Sequence, residues 1–292
     1  MSELTQAAVN GWIQYSATGD FHYKEVLNSR VNPSSYGKLR EYILRACNEG
    51  ICESLGRKDG WYRPIQDIPK PLDLLSLPAR KDSGLILPFN LREYVFIYPN
   101  TTVIVAGSKS SGKTGFCYQT AKLNLSKKKV VILSNLEGGE AMMRDRFESM
   151  GILDRYGVDF YVYRAISNYH DFIKEENTLY IIDYISAPEG TDFYLIGAEV
   201  DKVDRKLHGK NSNAVIGLQK SFGRDLAFGG EQTLRAATLY LAMDSKKLKI
   251  FDAKAPADEN LHPNNMMWTF TYSDKGTCFK NIQRSYNENE PF

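Results

Sequence analysis

The chain has 292 residues, of which 42% are hydrophobic and 25% charged, with a formal net charge of +2. That length supports one large domain and a small companion, and the composition is ordinary for a globular protein. The small net charge excludes an overall field that draws the chain to nucleic acid, so any basic surface must be local. No apolar run approaches the length of a bilayer span, so no membrane partner is expected. The opening MSELTQAAVNGW lacks a basic segment followed by an apolar core, and a cytoplasmic location is expected. Cys47, Cys52, Cys117 and Cys278 show neither paired metal spacing nor a disulfide framework, and are expected to be free thiols.

Residues 1–66 have their own logic. LTQAAVNGWIQYSA has helical spacing, with Leu4, Ala8, Trp12 and Tyr15 on one side. A short segment around FHYKEVLN follows. Pro33 and Ser34 then open SSYGKLREYILRACNEG, where Leu39, Ile43 and Ala46 form an apolar stripe and Gly50 marks the stop. ICESLGRKDGWYRP reads as two short strands around a turn from Gly56 to Gly60. Three helices and a β-ribbon resemble a winged helix-turn-helix module. That resemblance implies DNA contacts at Lys38, Arg45, Arg57 and Lys58; the alternative is a small domain that docks only on protein.

Residues 67–90 are expected to be a connector. Pro64, Pro69, Pro71, Pro78, Pro88 and Pro99 forbid long helices and weaken strands across this region. Leu72, Leu74, Leu75 and Leu77 make it too apolar for a loose tether, so it is expected to lie strapped across a surface.

The remaining chain, 91–283, is expected to be an α/β domain with a mostly parallel central sheet. The strand TTVIVA runs into Gly107-Ser108-Lys109-Ser110-Ser111-Gly112-Lys113-Thr114, which matches G-x-x-x-x-G-K-[ST] at every defined position. Gly107 and Gly112 let the backbone wrap so that successive N–H groups point at phosphate oxygens. Lys113 supplies a charge to the β- and γ-phosphates, and the Thr114 hydroxyl is a Mg²⁺ ligand. The helix TGFCYQTAKLNL adds its positive N-terminal end. ATP and Mg²⁺ are the cofactors this pattern implies.

A second strand, Val130 to Leu133, ends in Ser134-Asn135-Leu136-Glu137. A carboxylate at Glu137 can accept a proton from an attacking water; the alternative is an acid at a helix N-terminus, where Glu137 or Glu140 is favoured anyway. A third strand is expected at VDFYVYR. Leu179 to Ile182 read as a buried strand with Asp183 at its end, placed to hold magnesium. NAVIGLQK ends in Gln219, whose amide can sense a γ-phosphate or bond a neighbouring loop.

In order and spacing these pieces resemble the RecA-like P-loop ATPase superfamily, and within it the hexameric replicative helicases of the DnaB and RepA type. The carrying stretches are the phosphate loop, SNLEGGEAMMRDRF, YIIDY and IGLQKSFGRD. The resemblance implies a ring or filament of identical subunits with ATP between them. It also implies a mobile loop, KSFGRDLAFGGEQT, that grips single-stranded nucleic acid through Lys220 and Arg224, with Phe222 or Phe228 stacking on a base. The family's late Lys-x-Arg pair is not matched: KIFDAKAPAD has Lys254 without an arginine two residues on. Lys254 alone, Arg224 or Arg235 are the candidates to reach a neighbour's site.

Residues 284–292 form an acidic tail whose NENEPF resembles the partner-recruiting tip of bacterial single-strand-binding proteins; the alternative is a frayed terminus. The leading expectation is a DNA-acting motor ATPase of the helicase or remodelling type, in DNA replication. A non-motor, ATP-switched DNA-binding regulator or loader keeps every residue named above, and a metabolite kinase would need a second-substrate acid cluster that the sequence does not display.

Overall fold

The computed structural model describes residues 4–17, 19–56, 59–65, 74, 79–186 and 193–285, with Ser29, Tyr194 and Asp274 described by their backbones alone. It divides into two compact units, Met1–Leu77 and Pro78–Phe292.

In the first unit, helix α1 (Gln6–Tyr15) starts where the Thr5 hydroxyl accepts from the Ala8 N–H, and it buries Val9 and Ile13. Strand β1 (Phe21–His22) leads into a 3-10 segment, Tyr23–Ser29, broken by left-handed residues Leu27 and Asn28. Where three helices were expected, the middle one is this short, irregular turn. Helix α2 (Tyr36–Asn48) buries Leu39, Ile43 and Ala46, the stripe read from the sequence. Strands β2 (Cys52–Ser54) and β3 (Trp61–Pro64) form the ribbon, and β1 adds to its other side in the order β1-β3-β2. The small core joins Val9, Ile13, Phe21, Val26, Leu39, Ile43 and Cys52.

The second unit is built on strands β4 (Thr102–Gly107), β5 (Lys129–Ser134), β6 (Phe160–Arg164), β7 (Thr178–Ile185), β8 (Asn213–Gln219), β9 (Ala237–Asp244), β10 (Lys247–Ala253), β11 (Met267–Ser273) and β12 (Cys278–Ser285). Among the described residues they form one sheet in the order β12-β11-β10-β9-β4-β8-β7-β5-β6. The six strands from β9 to β6 are parallel, and β10, β11 and β12 add an antiparallel edge. Helices α3 (Lys113–Asn124) and α4 (Gly139–Met150) contribute Phe116, Tyr118, Met143 and Phe147 to the core on one face. Helix α5 (Tyr194–Leu207) contributes Ile196, Val200 and Val203 on the other. With both faces covered, β4 is buried along its whole length, which is why TVIVA is continuously apolar rather than alternating.

Part of the expected connector belongs to this core. Leu85, Leu87 and Phe89 are buried with the sheet, together with Leu91 just beyond them. The buried Asn124 side chain, at the end of α3, accepts from the Ile86 N–H at 2.9 Å and donates to its carbonyl at 2.7 Å. The boundary expected at 90/91 is thus corrected: from residue 79 the strap is part of the large unit. Leu74, expected to lie against a surface, is 73% exposed. Leu72, Leu75, Leu77 and most of the tail, 286–292, lie outside the described residues.

Candidate functional site

Parallel strands end on one rim, and register decides which ends meet there. Gly107 at the end of β4 pairs with Gln219 at the end of β8, and Ser134 at the end of β5 pairs with Asp183 in β7. Residues read 112 positions apart in the sequence therefore share an edge, the place where open α/β sheets bind ligands.

Between β4 and α3 the chain wraps tightly. Ser110 and Gly112 are both left-handed, with φ of 59° and 102°. A Cβ on Gly107 would collide with Ser111 Oγ and the Lys113 stem, and one on Gly112 with the Tyr272 hydroxyl. Lys113 folds back on the loop, its Nζ donating to the Gly107 carbonyl at 2.9 Å and the Ser108 carbonyl at 3.1 Å. Burial lowers the Lys113 pKa, and Asp183 opposes that shift most strongly. Ser111 Oγ is buried without a hydrogen-bond partner.

Thr114 Oγ1 donates to Asp183 Oδ1 at 3.2 Å. Asp183 is 5% exposed, and burial pushes its carboxyl up to about 6 against the pull of Thr114 and Lys113. The peptide from Asp183 to Tyr184 is cis. Glu137 is exposed in a turn set by local bonds, Asn135 Oδ1 accepting from its N–H at 3.2 Å. Its charge reaches Lys113, Asp183 and Tyr184.

These groups face one cavity of about 680 Å³, lined by residues 109–115 of the loop together with Glu137, Asp183 and Gln219. An orphaned hydroxyl, a loop without room for side chains at its glycines, a lysine on carbonyls, and a buried carboxylate beside a hydroxyl fit a polyphosphate and a divalent cation. Thr114 and Asp183 are the residues that could hold that cation. Elsewhere, among the described residues, no cluster of three His, Cys, Asp or Glu is arranged for a metal.

The same cavity has walls that sequence reading missed. Tyr272 comes from the end of β11, Lys275 and Gly276 from the tight turn that follows it, and Tyr118, Met142 and Arg146 from α3 and α4. The Tyr272 hydroxyl donates to the Ser111 carbonyl. Lys275 pairs with Asp145 of α4 at 3.1 Å. The Ser-Asp-Lys-Gly between two β-rich runs signals a hairpin, but nothing in it reports a partner more than 150 residues earlier.

Other expected residues lie elsewhere. Lys220 is a correction: its side chain is fully buried and its Nζ pairs with Asp244 at 2.8 Å, so it is not presented to phosphates. Arg224 and Phe222 are exposed, Phe222 by 78%. Phe228 is half-buried and stacked on Phe193 at 5.1 Å. Arg235 bonds Gln232 at 3.3 Å, and Lys254 donates to the Arg235 carbonyl at 3.0 Å; neither lines the cavity. On α2, Lys38 is exposed with its ammonium 5.6 Å from the Tyr42 ring, and Arg45 is paired with Glu41. Arg57 and Lys58 lie outside the described residues. No helix among the described residues is long and apolar enough to cross a membrane.

No protein-family profile and no curated protein matches the chain. Among solved structures, the crystal structure of the RadB recombinase is similar over 64% of this chain and 93% of its own, at 17% sequence identity and a TM-score of 0.47.

Proposed function

We propose that the chain is a P-loop ATPase of RecA-like organisation that hydrolyses ATP and acts on DNA in the cytoplasm. The observation that carries this is the convergence of Lys113, Thr114, Asp183, Glu137 and Gln219 on one cavity at the rim of the parallel sheet. The loop amides and the Lys113 ammonium would bind the β- and γ-phosphates, Lys113 exchanging its two carbonyl contacts for phosphate oxygens. Thr114 and Asp183 would hold Mg²⁺, which when bound neutralises charge on the phosphate oxygens. Glu137 would take a proton from the water that attacks the γ-phosphorus, and the products are ADP and inorganic phosphate. Gln219, on the strand that feeds the loop 220–233, would report the γ-phosphate to it. Arg224 and Phe222, exposed on that loop, are the candidates to meet single-stranded nucleic acid.

The sheet order β1-β3-β2 with α2 packed on it supports a winged-helix reading of the first unit, with Lys38 and Arg45 toward duplex DNA or a protein partner. A ring or filament of identical subunits, with Arg224, Arg235 or Lys254 reaching the next site, completes the motor reading, and the acidic tail remains a candidate partner contact. A non-motor, ATP-switched regulator or loader is the second reading; Lys254 without an arginine two residues on favours it.

ATPase rates with and without single- and double-stranded DNA, for the wild type, Lys113→Ala and Glu137→Gln, test the proposal. Both variants are expected to lose hydrolysis by on the order of 100-fold or more, with Glu137→Gln still binding ATP. Normal turnover in Glu137→Gln would remove it as the base. Strand displacement on a forked duplex separates motor from switch.

A further inference from the structure

The spacing of the cysteines suggests no pairing, yet the fold brings two free thiols into contact. Cys47 lies in the last turn of α2 and Cys52 opens β2, with their sulfurs 3.3 Å apart. The corner between them is held by the backbone. The Ile51 N–H donates to the Ala46 carbonyl at 2.9 Å, the Ile65 N–H donates to the Ile51 carbonyl at 2.9 Å, and left-handed Gly50 makes the bend at φ 73°. A disulfide needs its sulfurs about 2.05 Å apart, so the bond requires a closure of only roughly 1.2 Å, within reach of side-chain rotation.

The two thiols are not equivalent. Cys47 is half-buried, whereas Cys52 is 1% exposed and directs its sulfur at the Ile43 carbonyl, 3.8 Å away. Burial, and then the neighbouring Cys47, pushes the Cys52 thiol up, so Cys52 stays protonated. The accessible member meets an oxidant first, and its buried neighbour is already in place to resolve the product.

We propose that Cys47 and Cys52 form a redox-active dithiol, a site of reversible oxidation by a small hydroperoxide. The Cys47 thiolate attacks the peroxide oxygen, the O–O bond breaks, and a sulfenic acid and hydroxide form. The Cys52 sulfur then attacks the Cys47 sulfur; the S–O bond breaks, and the oxygen leaves as water with the Cys52 proton. The hydroxide takes up the proton that Cys47 had released. Two thiols are oxidised to one disulfide, and one hydrogen peroxide is reduced to two waters. The new bond ties the end of α2 to the ribbon within the first unit and shares no residue with the nucleotide cavity, so this site stands or falls apart from the ATPase reading.

The full reduced chain is treated with hydrogen peroxide, alkylated under denaturing conditions and digested with trypsin. Cleavage after Arg45 and Arg57 leaves both cysteines on one peptide, 46–57. That peptide is expected to lose about 2 Da, to escape alkylation, and to recover both thiols with dithiothreitol. Cys117 and Cys278 are expected to alkylate as before. In Cys52→Ser, Cys47 is expected to gain oxygen irreversibly, because the sulfenic acid has no resolving thiol; in Cys47→Ser, Cys52 stays reduced. A wild-type Cys47 that stops at sulfinic acid beside a free Cys52, or that reacts no faster than Cys278, overturns the proposal. Pairing found only between chains overturns it equally.

Discussion

Thr114 Oγ1 donates to Asp183 Oδ1 at 3.2 Å, joining the first turn of α3 to β7 in the lining of the cavity. The bond gives the buried carboxylate one neutral donor that opposes its desolvation, and burial still pushes its pKa up to about 6.

The raised value has a consequence for stability. The folded state holds the Asp183 proton more tightly than the unfolded chain, whose value is near the ordinary 3.8. Stability from this group is therefore fully present below pH about 4 and is lost as pH rises through about 6. Asp183→Asn, which keeps an acceptor for Thr114 and removes the buried charge, is expected to be more stable than the wild type at pH 8 by roughly 1–3 kcal/mol. The advantage shrinks as pH falls toward 4. Thermal unfolding of both proteins without nucleotide at the two pH values checks this, and equal melting temperatures at pH 8 would refute a buried charge.

Ligand affinity should move in the opposite sense. A cation can be held only by ionised Asp183, so nucleotide binding in the presence of Mg²⁺ is expected to strengthen about tenfold from pH 5 to pH 7 and then level off. A fluorescent nucleotide titrated with Mg²⁺ or with EDTA at each pH reads this directly. The same slope in EDTA would detach the effect from the cation.

Gly115 separates the phosphate loop from the β11–β12 turn by the width of a missing side chain. A Cβ there would collide with the Gly276 carbonyl. Gly115→Ala is expected to displace the turn, costing about 1–3 kcal/mol and weakening nucleotide binding. Tyr272→Phe, which only removes the hydroxyl that donates to Ser111, is expected to cost about 1 kcal/mol. Denaturant unfolding of the two variants compares them; a silent Gly115→Ala would place the turn away from the loop.

Lys220 and Arg224 stand four residues apart and are expected to fail differently. Lys220→Ala leaves Asp244, whose side chain is 25% exposed, without its partner, at a cost of about 1–3 kcal/mol. Arg224→Ala and Phe222→Ala, on exposed side chains, are expected to leave stability within about 0.5 kcal/mol. If the loop grips single strands, these two weaken oligonucleotide binding while the melting temperature holds. Loss of binding in Lys220→Ala with full stability would show instead that this lysine leaves Asp244 for a ligand.

What was legible in the chain was local. The phosphate loop could be read because its strand, glycines, lysine and helix are consecutive, so their chemistry does not depend on the remaining fold. Asp183 could be singled out because a buried strand is a continuous apolar run and a carboxylate that interrupts it is conspicuous, although the strand, expected to end there, continues to Ile185. The stripe of Leu39, Ile43 and Ala46 followed from helical periodicity in the same way. Strand order and register were needed for the rest. They bring Gly107 beside Gln219 and Ser134 beside Asp183, fold Tyr272 onto Ser111, bury Lys220 against Asp244, and draw Leu85, Leu87 and Phe89 into the core, with Ile86 bonded to Asn124. At the corner between Cys47 and Cys52 even a five-residue separation was not enough, because the approach of the sulfurs depends on how a helix end and a strand start are packed. Periodicity and spacing report which face a residue takes within its own element; which distant residue it meets is set by packing between elements, and that exists only once the chain has folded.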